Sequence, residues 1–88
     1  MEFEIRLLPP AEKDWEWWAE NNSKTLTRIE ELLTDISLHP YSGLGKPEAL
    51  KWGLSGKWSR RINKKDRIVY QVDEPARCVY VFSMKSHY

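Results

Sequence analysis

The chain is poor in the side chains that build metal centres and disulfides. It has one cysteine, Cys78, and two histidines, His39 and His87. These three residues do not make a zinc-binding pattern, and no metal or other cofactor is expected. The lone cysteine excludes an internal disulfide, and its apolar neighbours predict a buried, reduced thiol, as in cytoplasmic proteins.

Long apolar segments are missing as well. No run of ~18 apolar residues is present, so no membrane-spanning helix is predicted. The first residues, Met1-Glu2-Phe3-Glu4, are acidic and lack the basic and apolar regions of a secretory signal. We therefore expect a cytoplasmic protein with no membrane partner. The 88 residues are expected to form one domain, over residues 1–88.

The small net charge of +1 hides an uneven distribution of charge along the chain. Residues 1–44 carry nine acidic and four basic side chains, a net charge of −5, whereas residues 45–67 carry eight basic and two acidic side chains, a net charge of +6. The basic segment also contains Trp52 and Trp58. Such a segment is typical of a surface that binds nucleic acid, although a solvated charged hairpin would have the same composition.

The pattern of apolar residues in the first half predicts a strand followed by two helices. Apolar residues alternate over residues 3–7, which predicts a strand, and Pro9-Pro10 suits the first turn of a helix that ends near Glu20. After a break at residues 21–23, apolar residues recur at helical spacing until His39-Pro40. The acidic residues expected on the outer face of this second helix are Glu30, Glu31 and Asp35.

The second half predicts a loop followed by three strands. Residues 40–56, rich in glycine and proline, are predicted to form the loop. Strands are predicted over residues 57–62, 67–72 and 77–85, and the short turns between them imply an antiparallel meander. Together the two halves predict an α+β fold, in which the two helices form an αα-hairpin that packs on one face of the sheet.

The residue types that remain for chemistry are a carboxylate, several cations and an imidazole. They suffice for metal-free cleavage of RNA, because the ribose 2′-hydroxyl can serve as the internal nucleophile. A base removes the proton of that hydroxyl, cations stabilise the charge that develops on the phosphate oxygens, and an acid protonates the leaving 5′-oxygen.

Four motifs occur in a specific order and spacing: Gly45-Lys46-Pro47-Glu48-Ala49-Leu50-Lys51, Leu54-Ser55-Gly56-Lys57-Trp58-Ser59-Arg60-Arg61-Ile62, Arg67-Ile68-Val69-Tyr70 and His87-Tyr88. With these motifs the chain resembles the YoeB branch of the RelE toxin superfamily over nearly its whole length. The resemblance implies a RelE-like α+β fold and the toxin of a bacterial type II toxin–antitoxin system. It also implies an endoribonuclease that cuts mRNA in the ribosomal A site, a YefM/Phd-type antitoxin and a homodimer.

The resemblance also implies roles for seven residues. Glu48 would be the general base and His87 the general acid, while Arg67 would stabilise the transition state. Tyr88 would orient the scissile group or stack on a base. The residues implied to bind phosphates of the RNA are Lys46, Lys51 and Arg61.

Other interpretations of these residues stay open at this point. Glu48 could simply balance neighbouring lysines, and a histidine near a chain end, such as His87, is often dispensable. Adjacent strand residues face opposite ways, so only one of Arg60 and Arg61 can serve the site. The resemblance selects Arg61, which leaves Arg60 facing solvent or an acidic partner. The tryptophans expected to pack in the core or at an interface are Trp15, Trp17, Trp18 and Trp58.

Two rival functions belong to different classes. One is a toxin that acts by binding a protein, as the ParE branch does with DNA gyrase, and the other is a non-catalytic module that binds RNA or an antitoxin. The implied set of Glu48, Arg67 and His87 argues against the ParE alternative, because that branch lacks it.

Overall fold

A computed structural model describes residues 2–54 and 56–85. These residues form two helices and five strands, with one turn of 3₁₀ helix at Trp52–Leu54. In chain order the elements are β1 (Glu4–Leu7), α1 (Pro9–Asn21), α2 (Ser23–Leu38), β2 (Glu48–Ala49), β3 (Lys57–Arg61), β4 (Arg67–Asp73) and β5 (Cys78–Ser83). The predicted α+β fold is confirmed, except that β2 interrupts the segment predicted to be a loop.

The αα-hairpin turns sharply because one residue serves both helices. The backbone N–H of Asn22 donates to the carbonyl of Trp18 at 2.8 Å and so ends α1. The side-chain oxygen of Asn22 accepts a hydrogen bond from the amide of Thr25 at 3.1 Å, which caps the start of α2. Pro9 and Pro10 occupy the first positions of α1, as predicted.

The five strands form one mixed sheet in the order β1-β5-β4-β3-β2. The meander of β3, β4 and β5 is antiparallel, as predicted, and β2 adds to it along the free edge of β3. β1 pairs in parallel with β5, with Glu4 opposite Cys78 and Leu7 opposite Val81. Residues from the beginning of the sequence therefore lie at the opposite edge of the sheet from the short strand β2.

The core lies between the helices and one face of the sheet. Leu32 and Ile36 of α2 pack with Ile68, Tyr70 and other apolar strand residues in one buried cluster. The alternate residues of β3 and β4 face away from this cluster. We call the side of the sheet from which they project the helix-free face.

The aromatic residues divide between core and surface. Trp18 is buried and its indole N–H donates to the carbonyl of Met84 at 2.8 Å, which ties α1 to the residue after β5. Trp15 and Trp58 pack against the core, as predicted. Trp17 is 41% exposed and so does not belong to the core, which leaves its predicted place at an interface as a prediction. Cys78 is buried, also as predicted. Neither helix in the described part of the chain is long and apolar enough to cross a membrane.

Candidate functional site

Arg60 is fully buried, so the prediction that it faces solvent or an acidic partner is wrong. Its guanidinium donates from Nη1 to Asp35 Oδ2 at 2.5 Å and to the carbonyl of Leu44 at 3.0 Å. Nε donates to the hydroxyl of Tyr70 at 3.2 Å, and Nη2 donates to the carbonyls of His39 and Ser42. Each of the five N–H groups of the side chain thus has an acceptor, which is what burial of a guanidinium requires.

Asp35 and Tyr70 complete this arrangement, and we call Arg60, Asp35 and Tyr70 together the buried clamp. Asp35 was predicted to face outward, which is wrong, because its Oδ2 binds Arg60 and also accepts the amide of Leu44 at 3.0 Å. The hydroxyl of Tyr70 donates to the carbonyl of Pro40 at 2.7 Å. The clamp therefore fixes the backbone of residues 39–44, which lead from α2 to the candidate site.

The ionisation of the clamp follows from its surroundings. Burial alone would raise the pKa of Asp35, but hydrogen bonds from Arg60 and the Leu44 amide, together with the charge of Arg60, lower it below its usual value. Burial raises the pKa of Tyr70 more than Arg60 lowers it, so the hydroxyl keeps its proton. Asp35 is therefore a carboxylate at neutral pH, and Tyr70 is a donor.

A tight turn at Gly45 and Lys46 brings the chain from the clamp to the edge of the sheet. Both residues have positive φ, +79° at Gly45 and +53° at Lys46, a region that favours glycine. A Cβ atom on Gly45 would lie 2.9 Å from Leu32 Cδ2 and 3.0 Å from the carbonyl oxygen of Arg61. The carbonyl of Gly45 also accepts the amide of Arg61 at 2.7 Å. Close backbone packing against β3 therefore sets the position of Lys46.

Glu48 lies on β2, at the exposed edge of the sheet. It pairs with Ser59 of β3, and the amide of Leu50 donates to the carbonyl of Lys57 at 2.9 Å. Side chains alternate along a strand, so Ser59 and Arg61 of β3 both project from the helix-free face. Glu48 is paired directly with Ser59 and therefore projects from the same face. Glu48 and Arg61 accordingly line one groove of about 200 Å³ together with Lys46 and Pro47. We call it the Glu48 groove.

Arg67 lies directly opposite Arg61 in the register of β3 and β4. It is half-buried, and its Nη1 donates to the carbonyls of Asn63 at 3.0 Å and Asp66 at 3.1 Å. Two like charges in directly opposed positions destabilise a sheet. A bound anion between them would remove that cost, so the arrangement of Arg61 and Arg67 is suited to a phosphate.

Arg67 does not line the Glu48 groove, although it lies opposite Arg61 in the sheet. Lys51 is exposed just after β2, and it does not line the Glu48 groove. His87 and Tyr88 lie outside the described residues, so their roles stay predictions. Within residues 2–54 and 56–85, no cluster of histidine, cysteine, aspartate and glutamate side chains could hold a metal ion.

Sequence reasoning missed the clamp, although a signal for it was present. Trp58, Arg60 and Ile62 alternate along β3 and the residue after it, and they share its core face, where Trp58 packs against the core and Ile62 is buried. The same alternation that places Arg61 on the helix-free face therefore places Arg60 inside. The partner could not be identified in this way, because the position of Asp35 depends on how α2 packs on the sheet.

Comparison with known proteins supports the resemblance seen in the motifs. Residues 9–88 match the family described as the YoeB-like toxin of bacterial type II toxin–antitoxin systems. The curated Toxin YoeB of Synechocystis is 44% identical over 75 residues, which cover 85% of each chain.

Solved structures extend this similarity to the fold. The chain is similar to the YoeB dimer from Staphylococcus aureus, with a TM-score of 0.89 and 38% identity over 100% of both chains. It is also similar to a chain of the heterotetrameric YoeB–YefM complex from the same organism, with a TM-score of 0.87 and 38% identity over 100% of both chains. The resemblance inferred from the motifs is confirmed.

Proposed function

Because this chain belongs to the YoeB-like toxins of bacterial type II toxin–antitoxin systems, we propose that it is an endoribonuclease that cleaves mRNA in the ribosomal A site. The observation that carries the proposal is the Glu48 groove, which Glu48 lines together with Lys46 and Arg61. A proton acceptor next to cations is what transfer of a proton from a ribose hydroxyl beside a phosphate requires.

The reaction begins when Glu48 takes the proton of the ribose 2′-hydroxyl. The 2′-oxygen then attacks the adjacent phosphorus, and negative charge grows on the phosphate oxygens. Arg61 and Arg67, opposed on neighbouring strands, stabilise that charge. The bond from phosphorus to the 5′-oxygen breaks, and His87 donates the proton that the leaving oxygen needs. The products are a 2′,3′-cyclic phosphate and a 5′-hydroxyl.

Lys46, Lys51 and Tyr88 act in binding rather than in proton transfer. Lys46 lines the Glu48 groove and contacts a phosphate there. Lys51, exposed beyond β2, binds the RNA backbone farther along the strand. Tyr88 orients the scissile group. Binding through phosphates makes the affinity for RNA fall steeply with salt.

The partners of the protein follow from the same family. We propose a YefM-type antitoxin and a homodimer, since the related Staphylococcus aureus toxin occurs in a YoeB–YefM complex and as a YoeB dimer. An acidic, partly disordered antitoxin segment would cover the basic surface around Arg61 and Arg67 and become ordered as it binds.

Replacement of Glu48 by Gln tests the proposed chemistry. The variant should lose roughly 10²–10⁴ in cleavage rate, the usual effect of losing a general base. Its fold should be unchanged, because the side chain is exposed at an edge strand. Glu16→Gln, an exposed position of α1, is the matched control and should cleave normally. The assay maps RNA ends on programmed ribosomes, and a parallel arm measures supercoiling by DNA gyrase.

Cleavage by Glu48→Gln at the wild-type rate would remove Glu48 from the mechanism. Inhibition of gyrase without any RNA ends would replace the proposal with the ParE-like function. The predicted acid is tested by His87→Gln, which can form hydrogen bonds but cannot deliver a proton at neutral pH. It should lose most of the cleavage while keeping the thermal unfolding midpoint of the wild type, and wild-type cleavage would exclude His87.

A further inference from the structure

A second, larger groove adjoins the Glu48 groove and has no assigned role. It has a volume of about 360 Å³, and it shares Lys46 and Arg61 with its neighbour. Arg28 of α2 and Lys64 of the turn between β3 and β4 form its far side. We call it the Arg28 groove. Three separate parts of the fold thus bring four cations to one depression.

The four cations of the Arg28 groove form no ion pair in the described part of the chain, although Glu48 lines the adjoining groove with two of them, Lys46 and Arg61. None of the residues that line the Arg28 groove is acidic. Three acids each lie two residues from one of these cations: Glu30 and Glu48 do not line the groove, and Asp66 is buried and accepts a hydrogen bond from the side chain of Asn63 at 3.1 Å. Four cations around one groove repel each other, and binding of a polyanion relieves that repulsion.

The turn that carries Lys64 is held in one conformation. The side-chain oxygen of Asn63 accepts the amides of Lys65 at 2.8 Å and Asp66 at 2.7 Å. Arg67 adds a hydrogen bond to the carbonyl of Asn63 at 3.0 Å. The backbone under Lys64 is therefore fixed, so less conformational entropy is lost when this lysine binds a ligand.

We propose that the Arg28 groove binds a backbone phosphate of the RNA that flanks the cleavage point, with Arg28 and Lys64 as its ligands. The proposal rests on the proposed ribonuclease function. A phosphodiester chain continues beyond the scissile phosphate, so it must leave the Glu48 groove across one of its rims. The rim formed by Lys46 and Arg61 opens into the Arg28 groove and is itself cationic. One strand can therefore place successive phosphates in the two grooves.

The test measures RNA binding separately from cleavage. In a Glu48→Gln background, a short RNA is titrated against Arg28→Ala/Lys64→Ala and against the control Arg6→Ala/Lys13→Ala. Both doubles remove two exposed or half-exposed cations, but the control residues lie on β1, at the edge of the sheet opposite β2, and on α1, and neither lines the groove. The groove variant should bind roughly tenfold or more weakly at low salt, the equivalent of losing a charged hydrogen bond. The slope of its salt dependence should fall by about 0.7 for each phosphate that the variant no longer neutralises.

A neutral phosphate locates the binding site along the strand. RNAs carrying one methylphosphonate are compared at each position around the cleavage point. At one flanking position, the neutral linkage should weaken binding to the parent protein but not to the groove variant. The proposal would be overturned if RNA binding were weakened equally in the groove and control variants. It would also be overturned if, at every flanking position, the loss of affinity from the methylphosphonate added to the loss from the groove substitutions. If the alanine variant unfolds, Arg28→Gln/Lys64→Gln is used in its place. Thermal melting checks that this variant is folded.

Two further outcomes separate this proposal from its premise. If the groove variant binds RNA normally but binds the antitoxin poorly, the Arg28 groove serves the antitoxin, and the proposal is wrong. If Glu48→Gln cleaves RNA normally, the proposed base is wrong, while weaker RNA binding by the groove variant would still support the phosphate site.

Discussion

The buried clamp gives the largest effect that a single substitution should have on this fold. Arg60→Met keeps a long side chain but removes the guanidinium, so Asp35 loses its ion pair and the carbonyls of Ser42 and Leu44 lose their donors. Removal of one partner from a buried ion pair costs about 3–5 kcal/mol. At ~0.05–0.15 kcal/mol per residue, a protein of this size has a total stability of about 4–13 kcal/mol. The variant therefore loses a large share of it.

The measurement is urea unfolding at neutral pH, supported by thermal melting. At about 4–8 °C per kcal/mol, the thermal midpoint of Arg60→Met should fall by at least ~12 °C. The matched control is Arg61→Met, the neighbouring and exposed arginine, which should change stability by less than ~0.5 kcal/mol. Asp35→Asn should be milder, and the double variant Arg60→Met/Asp35→Asn should be less unstable than the sum of the single changes.

A stabilising role of the buried clamp is refuted if Arg60→Met is no less stable than Arg61→Met. It is also refuted if the effects of Arg60→Met and Asp35→Asn simply add, because additivity would mean that the two side chains are not coupled. Should Arg60→Met fail to fold, Asp35→Asn and Tyr70→Phe still test the clamp. Tyr70→Phe removes the hydrogen bond to the Pro40 carbonyl.

Three further predictions concern pH, backbone packing and metal. Because the folded-state pKa of Asp35 is lowered, the ionised carboxylate stabilises the fold fully above the unfolded pKa of ~3.9, and this stabilisation is lost as the pH falls through the folded-state pKa. The free energies of unfolding of wild type and Asp35→Asn, measured in urea, should therefore converge at a pH below the folded-state pKa. A difference that stays constant with pH would contradict this prediction. Gly45→Ala should cost about 1–3 kcal/mol through overpacking and positive φ, whereas Gly53→Ala, with nothing within 4 Å of the new Cβ, should be nearly neutral. Cleavage of a short RNA should persist in excess EDTA, and strict dependence on added Mg²⁺ would contradict the proposed chemistry.

Local signals in the sequence predicted the helices well. Asn22 and the Pro9-Pro10 pair act on their own neighbours, through capping and a fixed φ, so their effect does not depend on the rest of the fold. The short apolar runs of β4 and β5, bounded by polar turns, likewise indicate strands without reference to the rest of the fold. These parts of the fold could be predicted because short-range chemistry decides them.

Elements that depend on distant residues could not be predicted in the same way. β2 is two residues long and forms because β3 offers it an edge. The parallel pairing of β1 with β5 has no local signal in either strand. In the candidate site, three of the residues to which the resemblance gave roles, Lys46, Glu48 and Arg61, line one groove. Arg28 was not identified from the sequence, because only the packing of α2 on the sheet brings it to the adjoining Arg28 groove.

The position of β5 between β1 and β4 also governs when this protein can fold during synthesis. Glu4 and its partner Cys78 lie 74 residues apart in the chain, so a ribosome has already produced both helices and four strands before β1 has anything to pair with. Closing so long a loop slows folding relative to a helical protein of equal size. Until β5 emerges, β1 and β4 have unpaired edges, which favour aggregation. A nascent chain stopped short of β5 therefore lacks the strand that joins β1 to the rest of the sheet.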